Sequence, residues 1–283
     1  MGAVHTGELK VGVRLPLGAA EVGEWLADAS AYEAAGVDSL WLSEGLFRPA
    51  DGGGAITPEP WTLLAALAAV THRARLGTAV SVVATWPPAL LAGVVNTLER
   101  LSRGRVIVGV GIGWEPAQLA AVGLEFSDRA RRLDDHVLAL RHLWSTPGEP
   151  FRGELYDLPG LRLQEGVRPG GPPIFVGAFS EPGYQRAAHQ ADGFVHGGGE
   201  PDQVRATLEH IETLRAQAGR SGPFERWVQV SSPQDRDEWQ RIRTEYAGAG
   251  ATGIIVGAAP GLLDMLRNPD AEIDRSDLNL AQG

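Results

Sequence analysis

Short apolar runs alternate with longer amphipathic stretches from residue 10 to residue 267. Residues 10–17, 38–43, 75–83 and 105–111 are rich in Val, Leu and Ile and lack strict polar alternation. Such runs predict strands buried on both faces, as in a parallel sheet. Residues 173–176, 193–196, 226–231 and 253–257 continue the series. The stretches between them predict helices over 20–35, 58–71, 87–102, 128–144, 183–191, 201–218 and 235–247, with shorter ones over 116–123 and 261–267. Proline near the first turn, and Gly36 after the first helix, are start and stop signals. In the helix over 128–144, Leu133, Val137, Leu140 and Trp144 share one face.

Eight strands alternating with helices is the count of a (β/α)8 TIM barrel, an α/β fold. A doubly wound open sheet would carry a Gly-rich phosphate turn after its first strand. Here Leu15-Pro-Leu-Gly18 stands there instead. Residues 151–165 break the rhythm with aromatics, Gly and Pro, and predict a β-hairpin excursion before the fifth strand. No linker, repeat or low-complexity tract divides the chain, so a single domain over 1–283 is expected, with a loosely held polar tail over 270–283.

Composition narrows the chemistry. The 283 residues, 43% of them hydrophobic, suffice for one such barrel. A net charge of −10 without a basic cluster argues against a nucleic-acid partner. Lys10 is the sole lysine, so an internal Schiff base could form only there. The absence of cysteine excludes disulfides, thiolate nucleophiles, Cys-zinc sites and iron–sulfur clusters. The histidines show no His-x-x-x-His or Glu-x-x-His spacing, so no metal is expected. No apolar run approaches the roughly 18 residues of a membrane span, and the first ten residues hold no signal core. A soluble cytoplasmic protein is the expectation.

A TIM barrel carries its site at the C-terminal ends of its strands. Those ends are Arg14 and Pro16, Glu44, residues 79–81 with Thr85, and residues 111–114, 177–180, 196–199, 229–232 and 257–259. The run Arg105-Val-Ile-Val-Gly-Val-Gly-Ile-Gly-Trp114 stands out. Its glycines either offer bare backbone to a flat ligand or soften a core strand. Trp114 then offers an aromatic wall, while Trp41 and Trp61 read as core. The run is not a G-x-G-x-x-G fingerprint, and no Gly-x-Ser-x-Gly elbow or Walker loop occurs.

Six further segments carry a family resemblance. They are Ala35-Gly-Val-Asp-Ser-Leu-Trp-Leu-Ser-Glu44, Leu64-Ala-Ala-Leu-Ala-Ala-Val-Thr71, Arg75-Leu-Gly-Thr-Ala-Val80, Thr97-Leu-Glu-Arg-Leu-Ser-Arg-Gly-Arg105, Val108-Gly-Val-Gly-Ile-Gly-Trp114 and Gly171-Pro-Pro-Ile-Phe-Val-Gly177, followed by Arg186-Ala-Ala and Ala191-Asp-Gly-Phe194. With these the chain resembles the luciferase-like monooxygenase superfamily, most closely its actinobacterial branch of deazaflavin-dependent oxidoreductases. The resemblance implies a barrel with coenzyme F-420, or alternatively FMN, at its mouth, acting on a small-molecule substrate. It implies a non-prolyl cis peptide at Ala79-Val80 behind the ring. It places the cofactor phosphate near Gly177, Ala178, Phe179 and Ser180 at a helix start, where N–H groups favour an anion. It also implies a homodimer, for which helices two and three are apolar enough. Relatives often carry an acid followed by His after the second strand; here the pair is Glu44-Gly45.

Glu44 and His196 are the catalytic candidates. A carboxylate in a barrel mouth works as acid or base if burial raises its pKa, or it pairs with Arg48 on the same loop. His196 stands at a strand end and could replace the missing histidine, or simply sit on the rim. Ala79, Val80, Gly111, Gly113 and Trp114 join residues 177–180 as cofactor-contact candidates. Ser180 also reads as a plain N-cap. Asp134-Asp135 reads as a solvated pair, and His136 and His142 as surface or second-layer residues.

Overall fold

The first four long strands are β1 (Lys10–Arg14), β2 (Ser39–Leu42), β3 (Arg75–Thr78) and β4 (Val106–Val110). Between them run α1 (Val22–Ala34), α2 (Pro60–Val70) and α3 (Pro88–Ser102). After β4 come α4 (Pro116–Ala120), α5 (Arg129–Ser145) and a two-residue antiparallel pair, β5 (Phe151–Arg152) with β6 (Asp157–Leu158). The chain continues through β7 (Ile174–Ala178), α6 (Glu181–Gln190), β8 (Gly193–His196), α7 (Pro201–Gln217), β9 (Glu225–Val230), α8 (Arg236–Gly248), β10 (Gly253–Gly257) and α9 (Leu262–Arg267). The computed structural model describes residues 8–16, 21–45 and 57–267. Arg48, the tail over 270–283 and most of the loop after Glu44 lie outside them.

Eight strands close in the order β1-β2-β3-β4-β7-β8-β9-β10, and β10 pairs back onto β1. Every barrel pairing is parallel. The expected TIM barrel is present, with the hairpin before its fifth strand. Several boundaries differ from the sequence reading, and two of them bear on the site. The third strand leaves the ladder at Thr78, and Ser81 rejoins β4 through an isolated bridge to Val110. The peptide bond between Ala79 and Val80 is cis. Helix α6 starts two residues earlier than expected, because Ser180-Glu181-Pro182 supplies the N-cap position and a proline in the first turn.

Apolar residues fill two separate layers. One lies between strands and helices, where Leu40, Leu42, Val108 and Val176 meet Leu64, Leu91 and Leu140. The other fills the barrel and holds Trp41, Ile107, Phe175, Val195, Trp227 and Ile255. Trp41 and Trp227 meet with ring centroids 5.2 Å apart, and neighbouring strands must make room for them. A Cβ on Gly77 would stand 2.7 Å from the Trp41 ring, and one on Gly253 2.7 Å from the Trp227 ring. At the N-terminal end of the barrel, Glu225 takes Lys10 at 3.1 Å and Arg75 at 2.8 Å. The sole lysine is thereby committed to an ion pair at the end opposite the strand C-termini.

The acidic pair on α5 is not simply solvated. Asp134 receives Arg186 through two hydrogen bonds, from Nε at 2.5 Å and Nη2 at 2.9 Å. Asp135 is buried and accepts the backbone N–H groups of Glu154, Leu155 and Tyr156, which holds the hairpin against α5. His136 is fully buried against the edge of Tyr156, and burial pulls its pKa down to about 3. Among the described residues no helix is long and apolar enough to cross a membrane.

Candidate active site

The strand ends β2, β3, β4 and β7 surround a cleft of about 630 Å³, closed on its outer side by α4, the start of α5 and the start of α6. That volume lies in the range of small-molecule and cofactor sites. Its walls are mainly apolar, with Ala79, Val80, Val82, Ile112, Trp114 and Phe126 prominent.

Among the described residues one acid stands in this wall. Glu44 follows β2, and its Oε2 accepts Ser81 Oγ–H at 2.5 Å and Val82 N–H at 3.3 Å. Its Oε1 accepts Gln118 Nε2–H at 2.7 Å. Burial pushes the Glu44 carboxyl up to about 7, against those hydrogen bonds, which favour the charged form. The carboxyl is therefore fixed in orientation and titrates near neutrality. Ser81 belonged to the strand-end residues but had no role in the sequence. Gln118 was missed, because nothing in α4 marks one glutamine as facing a carboxylate 74 positions earlier.

The glycines of the β4 run serve a purpose the sequence reading did not assign. A Cβ on Gly109 would collide with the Thr78 carbonyl, one on Gly111 would stand 2.5 Å from Val80 Cγ2, and one on Gly113 would stand 2.9 Å from Val82 Cγ1. All three make room for the departing third strand. Gly177 does the same from β7, with a Cβ position 2.7 Å from Val80 Cγ1. The Val80 side chain thus covers Gly111 and Gly177. The bare-backbone platform is replaced by a valine backed by two glycines. Gly111, Gly113, Gly177 and Ala178 still line the cleft, as do Ala79 and Ser180.

The aromatic residues are open to solvent. Trp114 is 69% exposed at the cleft lip, and Phe179 is 78% exposed. The Phe179 ring lies directly over Gly197 at the end of β8. Trp41 and Trp61 are core, as read.

The outer wall is cationic. Ser180 occupies the N-cap position of α6, yet its hydroxyl makes no capping bond. Arg186 faces the cleft but is engaged by Asp134. Arg129 lies over the Phe126 ring at 3.7 Å and donates to the Phe126 carbonyl, while its Nε is buried with no partner. Neither arginine was legible as a site residue, since both sit on helices rather than strand ends.

His196 is not brought to Glu44. It is buried at 7% exposure, packs edge-on against Phe194, and its Nδ1 faces the Gly198 N–H at 3.1 Å. Val195 points into the barrel, so by strand alternation His196 points out toward the helices. Burial lowers its pKa, which keeps the ring neutral. Among the described residues no three His, Asp or Glu side chains are grouped to hold a metal.

The same architecture recurs in known proteins. The chain is 33% identical over 245 residues to an uncharacterized protein of Mycobacterium tuberculosis, covering 81% of this chain and 83% of that one. It is 32% identical over 170 residues to an F-420-dependent glucose-6-phosphate dehydrogenase of Amycolatopsis mediterranei, covering 58% of this chain and 50% of that enzyme. A solved F-420-dependent secondary alcohol dehydrogenase superimposes with a TM-score of 0.82 over 92% of this chain and 97% of its own, at 17% identity. The family model of luciferase-like monooxygenases matches residues 6–274, the whole barrel, and the chain belongs to that family of enzymes.

Proposed function

We propose that this protein is an oxidoreductase that holds coenzyme F-420 in the cleft and passes hydride to a small organic substrate, with Glu44 holding the proton the product takes up. The residues present fit such a cofactor. A planar ring has an apolar berth against Val80, between the Glu44 side and Trp114. A phosphate has the α6 N-terminus, the Ser180 hydroxyl and Arg129, whose buried Nε has no partner. The bound deazaflavin supplies hydride chemistry; the barrel supplies orientation.

The observation that carries the reading is Glu44. Reduction of a carbonyl or similar group leaves an oxygen or nitrogen that must gain a proton. A carboxyl titrating near 7 carries one about half the time at neutral pH. Ser81 and Gln118 hold it from two sides, so its proton is presented in one direction. Gly45 stands where many relatives have histidine, which leaves Glu44 as the proton carrier among the described residues of the cleft. The family description also supports a second reading, an FMN-dependent monooxygenase using dioxygen. We place the expected homodimer contact on α2 and α3; on α3, Leu90 and Leu101 are each 55% exposed.

Titration of the purified protein with oxidised F-420, and separately with FMN, tests the reading. Tight F-420 binding with weak FMN binding, followed by turnover of reduced F-420 with a carbonyl panel, is the expected result. The reverse preference moves the assignment to the monooxygenase. Binding of neither removes the oxidoreductase reading and leaves a barrel without turnover.

A further inference from the structure

The barrel mouth has a second hollow, of about 420 Å³, over the ends of β1, β8 and β9. Its lining is polar: Arg14, the Gly197-Gly198-Gly199 turn, Gln229, Ser231 and Tyr246 take part. It meets the cleft at Phe179, whose ring lies over Gly197.

Arg14 is the residue in need of a reason. By strand alternation it points into the barrel, as Gly12 does below it against Trp41. It pairs in register with Gly257, and the missing side chain there lets the guanidinium cross β10 to β9. Nη1 donates to Gln229 Oε1 at 2.5 Å. A guanidinium has five N–H donors. Among the described residues this is the one partner Arg14 has, and no carboxylate lies within ion-pair distance. A half-buried cation without a counter-charge is costly, and burial lowers its pKa. Three other part-buried arginines have carboxylates: Arg75 has Glu225, Arg168 has Glu99 and Arg186 has Asp134. The top inward layer is otherwise small, with Ser43, Ala79, Gly111, Gly177, Gly197 and Gly257; Val80 covers Gly111 and Gly177 and Phe179 covers Gly197, so Arg14 and Gln229 stand as one polar edge beside an apolar floor.

We propose that Arg14, held by Gln229, binds the carboxylate of the substrate, so that the enzyme acts on small monocarboxylic acids whose reacting carbon lies past Phe179 in the Glu44 cleft. The planar guanidinium matches a carboxylate bidentately. Glu200 stands exposed on the outer rim of the same hollow and disfavours a polyanion. The substrate class rests on the oxidoreductase reading; the carboxylate site does not, and binding tests it alone.

The full-length protein is titrated with benzoate and its neutral isostere benzamide, read by calorimetry. Benzoate binds at least about tenfold more tightly, the worth of one charge-assisted hydrogen-bonded pair. Arg14→Gln abolishes that preference, and Arg14→Lys retains part of it. F-420 titration of each variant serves as a fold check. No saturable benzoate binding in the wild type, equal binding of the two probes, or a benzoate preference that survives Arg14→Gln overturns the proposal. Benzoate preference without F-420 binding would remove the oxidoreductase reading and leave the carboxylate site standing.

Discussion

Gln118 and Ser81 grip opposite oxygens of the Glu44 carboxyl, at 2.7 Å and 2.5 Å, from α4 and from the bulge after β3. Both donate, so both stabilise the ionised form, yet burial outweighs them and the group titrates near 7. The arrangement is that of a carboxyl held in place and kept protonatable. Glu44→Gln keeps the shape and removes the proton. Turnover of reduced F-420 falls by about 10²- to 10⁴-fold, the usual worth of a general acid. The wild-type rate declines as pH rises through about 7, and this limb vanishes in the variant. His196→Gln leaves the limb in place, because that ring faces the helical layer. A wild-type profile flat from pH 5 to pH 9 would remove Glu44 from the chemistry.

The same group sets a stability prediction. The folded pKa of Glu44, about 7, lies above the ordinary value of 4.5 that the unfolded chain has. Between those values the folded state holds a proton that the unfolded state has lost, so stability falls as pH rises through this window. Below 4.5 the shift costs nothing; above 7 the full cost of a buried carboxylate, roughly 3 kcal/mol, is present. Urea melts at pH 5 and pH 9 check this. Glu44→Gln gains on the wild type at pH 9 relative to pH 5, and equal differences at the two pH values would contradict the burial argument.

Val80 and the glycines behind it can be tested as a packed unit. Gly111→Ala brings a methyl group to 2.5 Å from Val80 Cγ2 and costs roughly 1–3 kcal/mol of stability. It also pushes Val80 into the cleft, so F-420 affinity drops. Val80→Ala alone opens space and costs less. In the double variant the two losses fail to add, because the clash is gone, and a coupling of roughly 0.5–3 kcal/mol appears between them. Strict additivity in chemical denaturation would show that the two residues do not meet.

The barrel itself was legible. Eight Val-, Ile- and Leu-rich runs at regular spacing leave few alternatives, and all eight strands appear in order. The bulge was not legible in the apolar pattern, because Ala79, Val80, Val82 and Val83 read as strand whether or not they stay in the ladder; the family resemblance alone placed the cis peptide at Ala79-Val80, where the structure has it. Glu44 was visible from its place at a strand end, whereas Gln118 was not, since helix position says little about which distant group a side chain meets. The glycine run was visibly special, but its reason lies in Thr78, Val80 and Val82 across the sheet. Asp134 and Asp135 looked like one solvated feature. Neighbours on a helix point about 100° apart, and each found a different partner, Arg186 for one and the hairpin backbone for the other.

Arg129 separates the two ends of the cofactor. Its guanidinium rests on Phe126, donates to the Phe126 carbonyl, and keeps a buried Nε with no partner; Arg129 lines the same cleft as the α6 N-terminus and Ser180, whose hydroxyl makes no capping bond. If a phosphate binds there, Arg129→Gln removes a charge-assisted contact worth about 1.5–3 kcal/mol, or roughly 10- to 100-fold in affinity. The loss depends on the phosphate. F-420 binding weakens by that factor, while the phosphate-free deazaflavin chromophore binds wild type and variant alike. Added salt weakens wild-type F-420 binding more than it weakens the variant's, since one cation has been removed. Equal weakening of both ligands would mean that Arg129 shapes the ring berth through Phe126, and the phosphate would then belong elsewhere on the rim.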